Sequence, residues 1–460
     1  MCYATADRTP KCVAPRRAYR PVPTSGARGG IRGQAPQTRV VCRPRVRHPL
    51  TFLGRAPCAR PPAPGHSSSG AGQARAPPRG MSLSHHHPRN DWPRSAFYAC
   101  YFSALGVLLP YWPLYLRQRG FGPRALGDLM ALLALSRVVA PYVGGALSDR
   151  LGHRMTAVRG AAVLAFACFL TIPYAHGFAA MAAVMMAFSF FWYATLPPVE
   201  ASTLAFHGDR YGRIRLWGSI GFIIAVLGLG PVLDRFGAAT VVPVIAMLLF
   251  GLWLTTLGLA PLTPPAATGA RPPIQPGLLP FLAACFLMQV SYGPYYTFYS
   301  LYLAHYGYSK AAIGALWALG VICEVLVFWQ AGRFFAHFRE SRLLAFTFAL
   351  AIVRWILIAL FPRSWPLLAL AQTFHAFTFG LYHAVAVRLV SRFAGPGAKA
   401  RAQAIYGTAA GAGAAAGAAM SGYLWVALGR EGMFLAAAAV AAVGFAIIAR
   451  HQIAPVEPAV

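Results

Sequence analysis

Negative charge is scarce in this chain: 11 Asp and Glu stand against 41 Lys and Arg over 460 residues, for a formal net charge of +30. Lysine is nearly absent as well, occurring only at Lys11, Lys310 and Lys399, so the positive charge is arginine. Charged residues of both signs make up 11% of the chain against 57% hydrophobic, whereas a typical soluble domain is about a quarter charged. So little charge cannot solvate so much apolar side chain, which excludes a single water-soluble core. Cysteine pairs are missing too. Cys2, Cys12, Cys42 and Cys58 lie in the first 80 residues, and Cys100, Cys168, Cys285 and Cys323 sit singly in apolar segments, so no metal or redox spacing exists. The tract His85 to His87 is too short for a metal site. The apolar segments hold no metal triad, no nucleophile with its base and no phosphate loop, which argues against an enzyme and against any bound cofactor.

What the chain has is length without charge. Apolar runs of about 20 residues, each able to cross a hydrocarbon layer of about 30 Å, recur from Ala96 to Ile448. Gly, Pro and charge punctuation divides them into twelve predicted helices near 95–116, 125–147, 156–174, 178–203, 214–234, 238–260, 278–304, 311–334, 342–361, 366–390, 402–427 and 431–449. The Pro- and Thr-rich stretch 261–276 halves the set. The expected organisation is an Arg/Pro/Gly-rich disordered segment over 1–90, six helices over 91–260, a central loop over 261–276, six more helices over 277–452 and a tail over 453–460. Met81 opens a more ordinary sequence ahead of the first helix. Either the start has been placed too far upstream, or a basic tail that touches anionic lipid or RNA precedes it.

Where the charge lies decides its meaning. Fifteen Arg and Lys fall before residue 81, against Asp7 alone, and the rest are spread over short connections. That spread follows the positive-inside pattern and does not suggest nucleic-acid binding. Connections on the side of the two termini hold Arg150, Arg154, Arg159, Arg210, Arg213, Arg271, Arg333, Arg339, Arg342, Arg392, Lys399 and Arg401. The other side holds Arg117, Arg119, Arg124, Arg235, Lys310, Arg363 and Arg430. Both termini are therefore expected in the cytoplasm.

The halves also repeat in sequence. Leu114-Tyr115-Leu116, Gly120 and Gly127 recur at an offset of 187 as Leu301-Tyr302-Leu303, Gly307 and Gly314. Leu129, Ala131, Leu132, Val138 and Gly145 match Leu316, Ala318, Leu319, Val325 and Gly332 at the same offset.

A parallel six-plus-six repeat with a long central loop resembles the major facilitator superfamily, and Gly145-Ala-Leu-Ser-Asp149-Arg150-Leu-Gly152-His-Arg154 resembles its loop 2-3 signature, a gating latch. The matching stretch Gly332 to Phe338 has no acid. Tyr211-Gly-Arg213-Ile-Arg215-Leu-Trp217-Gly218-Ser219-Ile-Gly221-Phe222, with Gly307-Tyr308-Ser309 through Glu324 and with His375 to His383, is similar to the 3-phenylpropionic acid transporter family and, more distantly, to the lactose permease. The resemblance implies an all-α membrane protein of twelve transmembrane helices in two pseudo-symmetric six-helix bundles. It further implies a proton-coupled symporter of a small aromatic or other organic acid, working as a monomer in the bacterial inner membrane. The proton gradient would be its driving force, and its partners would be substrate, proton and lipid. A neutral sugar or nucleoside, a drug antiport or a non-transporting sensor are the other readings.

An ionisable group in hydrocarbon costs several kcal/mol, so each one needs a partner, a cavity or a function. Glu200, Arg215 and Phe222 fall where the lactose permease binds its substrate. A salt bridge between Glu200 and Arg215 is the structural alternative. Arg137 on the second helix is the repeat equivalent of Glu324 on the eighth, and is a candidate to attract a substrate carboxylate or to meet Glu324. Glu324, Arg354 and His375 occur in the order of the relative's proton-coupling cluster, with His383 a further candidate. Thr378 stands where the relative has its proton-carrying acid, which leaves Glu324 as the expected carrier. Helix 7 is dense with aromatics (Tyr292, Tyr295, Tyr296, Phe298, Tyr299 and Tyr302), and helices 1 and 4 add Tyr111, Trp112, Phe191, Trp192 and Tyr193; many of them suit the interfacial belt that spans carry, and the inner ones could line a site for a ring.

Overall fold

The helices begin and end where the side chains dictate. A computed structural model describes residues 91–151, 154–260, 277–394 and 398–451, all within one compact unit, apart from the side chains of 146–151 and Ala400. The segments expected to be disordered or linking (1–90, 261–276 and 453–460) lie outside those residues, as do Gly152 and the side chains of Asp149 and Arg150 in the expected latch.

Six helices form the first half: α1 (Trp92–Gln118), α2 (Pro123–Leu151), α3 (Arg154–Leu170), α4 (Gly177–His207), α5 (Tyr211–Phe236) and α6 (Val241–Leu257). The second half holds α7 (Leu278–His305), α8 (Lys310–His337), α9 (Glu340–Leu360), α10 (365–393), α11 (399–428) and α12 (430–451). Both chain ends of the described region therefore lie on one side, called here the terminal face. The opposite side is the far face.

Burial sorts these helices into interior and lipid-facing. α6 has a mean hydropathy of 2.1 with only 22% of its window buried, whereas α1 has 1.3 with 72% buried. A helix that is more apolar yet less buried by protein is in contact with lipid, so α1 lines the interior and α6 the periphery. Arginines close several helix ends. Arg159 donates to the carbonyls of Thr256, Leu257 and Leu259 at the end of α6 (3.1–3.3 Å), and Arg119 donates to Ala175 O (2.9 Å) beyond α3. Arg159, one turn into α3, and Arg119, just after α1, thus cap orphan carbonyls of neighbouring segments as well as marking topology.

The repeat extends to backbone geometry. Gly120 and Gly307, 187 apart, both have φ +86°, and each is followed by the same return bond: Phe121 N–H to Leu116 O (3.2 Å) and Tyr308 N–H to Leu303 O (3.1 Å). This helix-ending turn places the residue after the helix in the left-handed region, which glycine enters without a Cβ clash.

Two of the expected continuous helices are interrupted. α7 breaks at Tyr292, between Leu278–Ser291 and Gly293–His305. Pro294 offers no N–H there, and Gly293 packs so closely on Gly417 of α11 that a side chain would overlap the Gly417 carbonyl. α10 contains a π turn over Ala376–Leu381, an element often found at functional sites.

Candidate functional site

The halves meet near the far face along two seams. In the α5–α8 seam the Asp234 carboxylate accepts the first backbone N–H groups of α8, Lys310 N and Ala311 N, at 2.9 Å each, with Lys310 Nζ at 3.5 Å. Tyr111 of α1 donates to Val226 O (2.7 Å) and also reaches Lys310 O (3.3 Å). Gly230 and Gly314 permit this approach: a methyl at Gly230 would lie 2.7 Å from Lys310 O, and one at Gly314 would overlap the Tyr111 hydroxyl. In the α2–α11 seam, Gly127 and Gly422 pack against the facing backbone in the same way. A carboxylate held on a helix amino end gains from both the open donors and the dipole, so Asp234 works as a clasp between the halves. Sequence reasoning missed it, although an acid near the end of an apolar helix, opposite a helix start, was a usable signal.

Arg215 lies one turn into α5 and is 1% exposed. Its guanidinium covers the Phe102 ring at 3.8 Å and the Tyr98 ring at 5.3 Å, while Nε and Nη2 have no hydrogen-bond partner. Gly218 makes room for this stack, since a methyl there would lie 2.6 Å from Arg215 Nη1 and 2.7 Å from the Phe102 ring. The alternative of a Glu200–Arg215 salt bridge is not realised in this state. Glu200 instead accepts from Tyr211 Oη at 2.7 Å. Phe222 is buried with its ring and carbonyl against Gly106 of α1.

In the second half, Glu324 (α8) and His375 (α10) come together, with Nε2 and Oε2 at 3.7 Å. Gly380 in the π turn lies directly on the acid, where a methyl would sit 3.0 Å from Glu324 Cγ. The π turn thus packs Gly380 on the Glu324 stem while His375, just before the turn, meets its carboxylate. Arg354 stands apart from this pair. It is fully buried and donates to Ala371 O (2.9 Å), Tyr292 Oη (3.1 Å), Thr378 Oγ1 (3.5 Å) and Gln372 Oε1 (3.4 Å), beneath the Tyr295 ring at 4.3 Å. Tyr292 Oη in turn donates to Thr378 Oγ1 at 2.7 Å. Arg354 is therefore solvated by neutral groups, with no ion-pair partner among the described residues. Gln372, which also bonds Tyr295 and Tyr299, was missed by sequence reasoning. A polar residue three before His375 in an apolar run was the available signal.

His383 is separate from His375 and sits 3.4 Å from Tyr406 Oη through Nδ1. Arg137, two helical turns before the Gly144 that packs on Ala194 of α4, has an exposed side chain and lies within electrostatic reach of Tyr101, Tyr193 and His383. The ion pair that Glu324 makes among the described residues is with His375, not Arg137, so the repeat-equivalent pair does not meet in this state.

Of the expected latch, Gly145 has open space around it and Arg154 opens α3. The second half has no acid in Gly332–Phe338, but Glu340, two residues beyond, accepts from Arg388 Nε and Arg392 Nη1 at 2.9 Å each.

Comparison with known proteins agrees with this architecture. The model of the MFS_1 like family matches residues 92–436. The chain is 28% identical over 375 residues to the probable 3-phenylpropionic acid transporter of Escherichia coli (strain K12), covering 75% of this chain and 93% of that protein. It is 28% identical over 287 residues to the maltose permease of Geobacillus stearothermophilus, covering 58% and 71%. The solved structure of the nucleoside transporter NupG matches with a TM-score of 0.69 at 17% identity, over 79% of this chain and 98% of that one.

Proposed function

Because the chain belongs to the MFS_1 like family of the major facilitator superfamily and is a multi-pass membrane transporter rather than an enzyme, we propose that it carries a small aromatic acid such as 3-phenylpropionate, coupled to protons, by alternating access. The observation that carries this reading is Arg215, buried against two aromatic rings with two guanidinium nitrogens unpartnered. Buried donors without acceptors are costly, and a substrate carboxylate supplies the missing acceptors while its ring meets the aromatic wall. At four or more residues from the ends of the described spans, Arg137, Arg159, Arg215, Arg333, Arg354 and Arg388 outnumber Asp128, Glu200 and Glu324, a balance that favours an anion over a neutral cargo.

Glu324 is the proton carrier of this reading, with His375 at 3.7 Å as its nearest titratable neighbour. Arg354, held by Ala371, Tyr292, Thr378 and Gln372, tunes the pair from nearby, and His383, 3.4 Å from Tyr406 Oη, is the further candidate on α10. The carrier works as a monomer in the bacterial inner membrane with both termini cytoplasmic, takes only substrate, proton and lipid as partners, and does not bind nucleic acid. The Glu200–Tyr211 hydrogen bond and the maltose permease relative support a neutral sugar as the second reading.

Radiolabelled 3-phenylpropionate uptake into proteoliposomes separates the two. Replacing Arg215→Gln removes a charged anchor whose hydrogen bonds are worth about 1.5–3 kcal/mol each, so uptake of the acid falls at least tenfold. Arg215→Lys retains the charge without the planar fork and falls between. Transport that is blocked by maltose and indifferent to Arg215→Gln sinks the acid reading.

A further inference from the structure

One face of α8 is exposed from mid-helix to its terminal end. Ile322, Leu326, Trp329 and Arg333, spaced for one side of a helix, are all exposed, Trp329 by 84%. Arg333 stands nine residues after Glu324, about two and a half turns, so this stripe points away from α10, on which Glu324 and Gly320 pack. In a spanning helix such a face meets lipid. The pattern recurs on α9, which runs the other way and exposes Arg342, Phe346, Val353 and Leu360. Both stripes are apolar in the membrane and end in arginine at the terminal face. Between the two helices lies Phe377 of the α10 π turn, 6.1 Å from the Phe334 ring of α8 and 6.0 Å from the Phe346 ring of α9. The seam between α8 and α9 thus has an apolar floor and a cationic rim.

The charge on that rim is unanswered. The guanidinium groups of Arg333, Arg339 and Arg342 have no hydrogen-bond, ion-pair or ring partner among the described residues. On the far face, by contrast, Arg119, Arg363 and Arg430 each rest on a carbonyl or a ring. Glu340 is the one acid among the described residues at the terminal side of the second half. It is 8% exposed and already holds Arg388 and Arg392 at 2.9 Å each.

We propose that this seam docks an anionic phospholipid of the leaflet at the terminal face. The headgroup phosphate would sit among Arg333, Arg339 and Arg342, and the acyl chains would run along the two stripes over Phe377. Trp329, one turn deeper than Arg333, suits the boundary between headgroup and chains, where an amphipathic ring is favoured. Charge complementarity selects the headgroup. The apolar length on both sides selects a lipid over a free anion. The site is independent of which substrate is carried.

Native mass spectrometry of the purified, delipidated full chain tests it. Dioleoylphosphatidylglycerol and dioleoylphosphatidylcholine serve as probes with the same chains and different headgroups. The first phosphatidylglycerol is expected to bind about tenfold more tightly than phosphatidylcholine. Arg333→Gln, Arg339→Gln and Arg342→Gln together are expected to erase that preference, and Arg→Lys at the same three positions to keep most of it. All three side chains are exposed, so the substitutions leave the fold intact. Arg213→Gln with Arg401→Gln, exposed cations elsewhere on the same face, is expected to leave the preference unchanged. Equal affinity for the two lipids, or a preference that survives the triple Gln variant, overturns the proposal. So does an equal loss in the Arg213 and Arg401 variant, or inorganic phosphate displacing phosphatidylglycerol at equal concentration.

Discussion

Replacing Asp234→Ala removes a side chain with which the first half hydrogen-bonds into the second at the far face. It deletes two carboxylate–amide bonds of 2.9 Å and a lysine contact of 3.5 Å. The carboxylate is 29% and Lys310 38% exposed, so water replaces part of what is lost and the lysine contributes under about 1 kcal/mol. Helix-cap substitutions cost about 0.5–2 kcal/mol, and with the charge included the clasp is worth about 2 kcal/mol. That shifts the equilibrium towards the far-face-open form by about 30-fold. A minor open population of about 1% would rise to about a fifth. Gln118 and His305 are exposed, repeat-equivalent positions at the far ends of α1 and α7. Spin labels on cysteines placed there, with the native cysteines replaced, would report the opening by double electron–electron resonance. A longer-distance population appears in Asp234→Ala and is smaller in Asp234→Asn, which keeps one acceptor. Identical distance distributions in all three proteins refute the clasp and leave the glycine seams as what closes this face.

Two further substitutions probe the site and its scaffold. Glu324→Gln keeps the shape of the side chain and removes its titration, so substrate counterflow persists while accumulation driven by a pH gradient is lost; equal loss of both contradicts the carrier role. Gly293→Ala sets a methyl against the Gly417 carbonyl, where no side chain can rotate away, and overpacking of this kind costs about 1–3 kcal/mol. The melting temperature in detergent falls by several degrees, and an unchanged value contradicts the tight α7–α11 contact.

Much of the fold was legible in the sequence because one strong constraint governs it: a backbone in lipid must satisfy its own hydrogen bonds, so long apolar runs become helices. The repeat was legible for a related reason, since Gly120 and Gly307 occupy the same left-handed turn. The break at Tyr292 was signalled by Gly293-Pro294 and overridden by the length of the apolar run. The π turn was not legible, because it depends on how α10 packs against Glu324. Among the charges, position along a helix is readable but facing is not. Glu200 and Arg215 lie on α4 and α5, the helices expected to carry them, yet Tyr211 takes the carboxylate while the guanidinium lies on Phe102. The second half's acid was sought at Gly332–Phe338, whereas Glu340 binds Arg388 and Arg392 from the start of α9.

Proton-coupled transport of an aromatic acid is tested most directly by radiolabelled 3-phenylpropionate uptake into proteoliposomes with an imposed pH gradient. The account predicts accumulation above the level that passive distribution of the acid alone produces, abolished by a protonophore and by Glu324→Gln. Uptake of the same extent in protein-free liposomes, or accumulation by the protein that ignores the gradient, would contradict it.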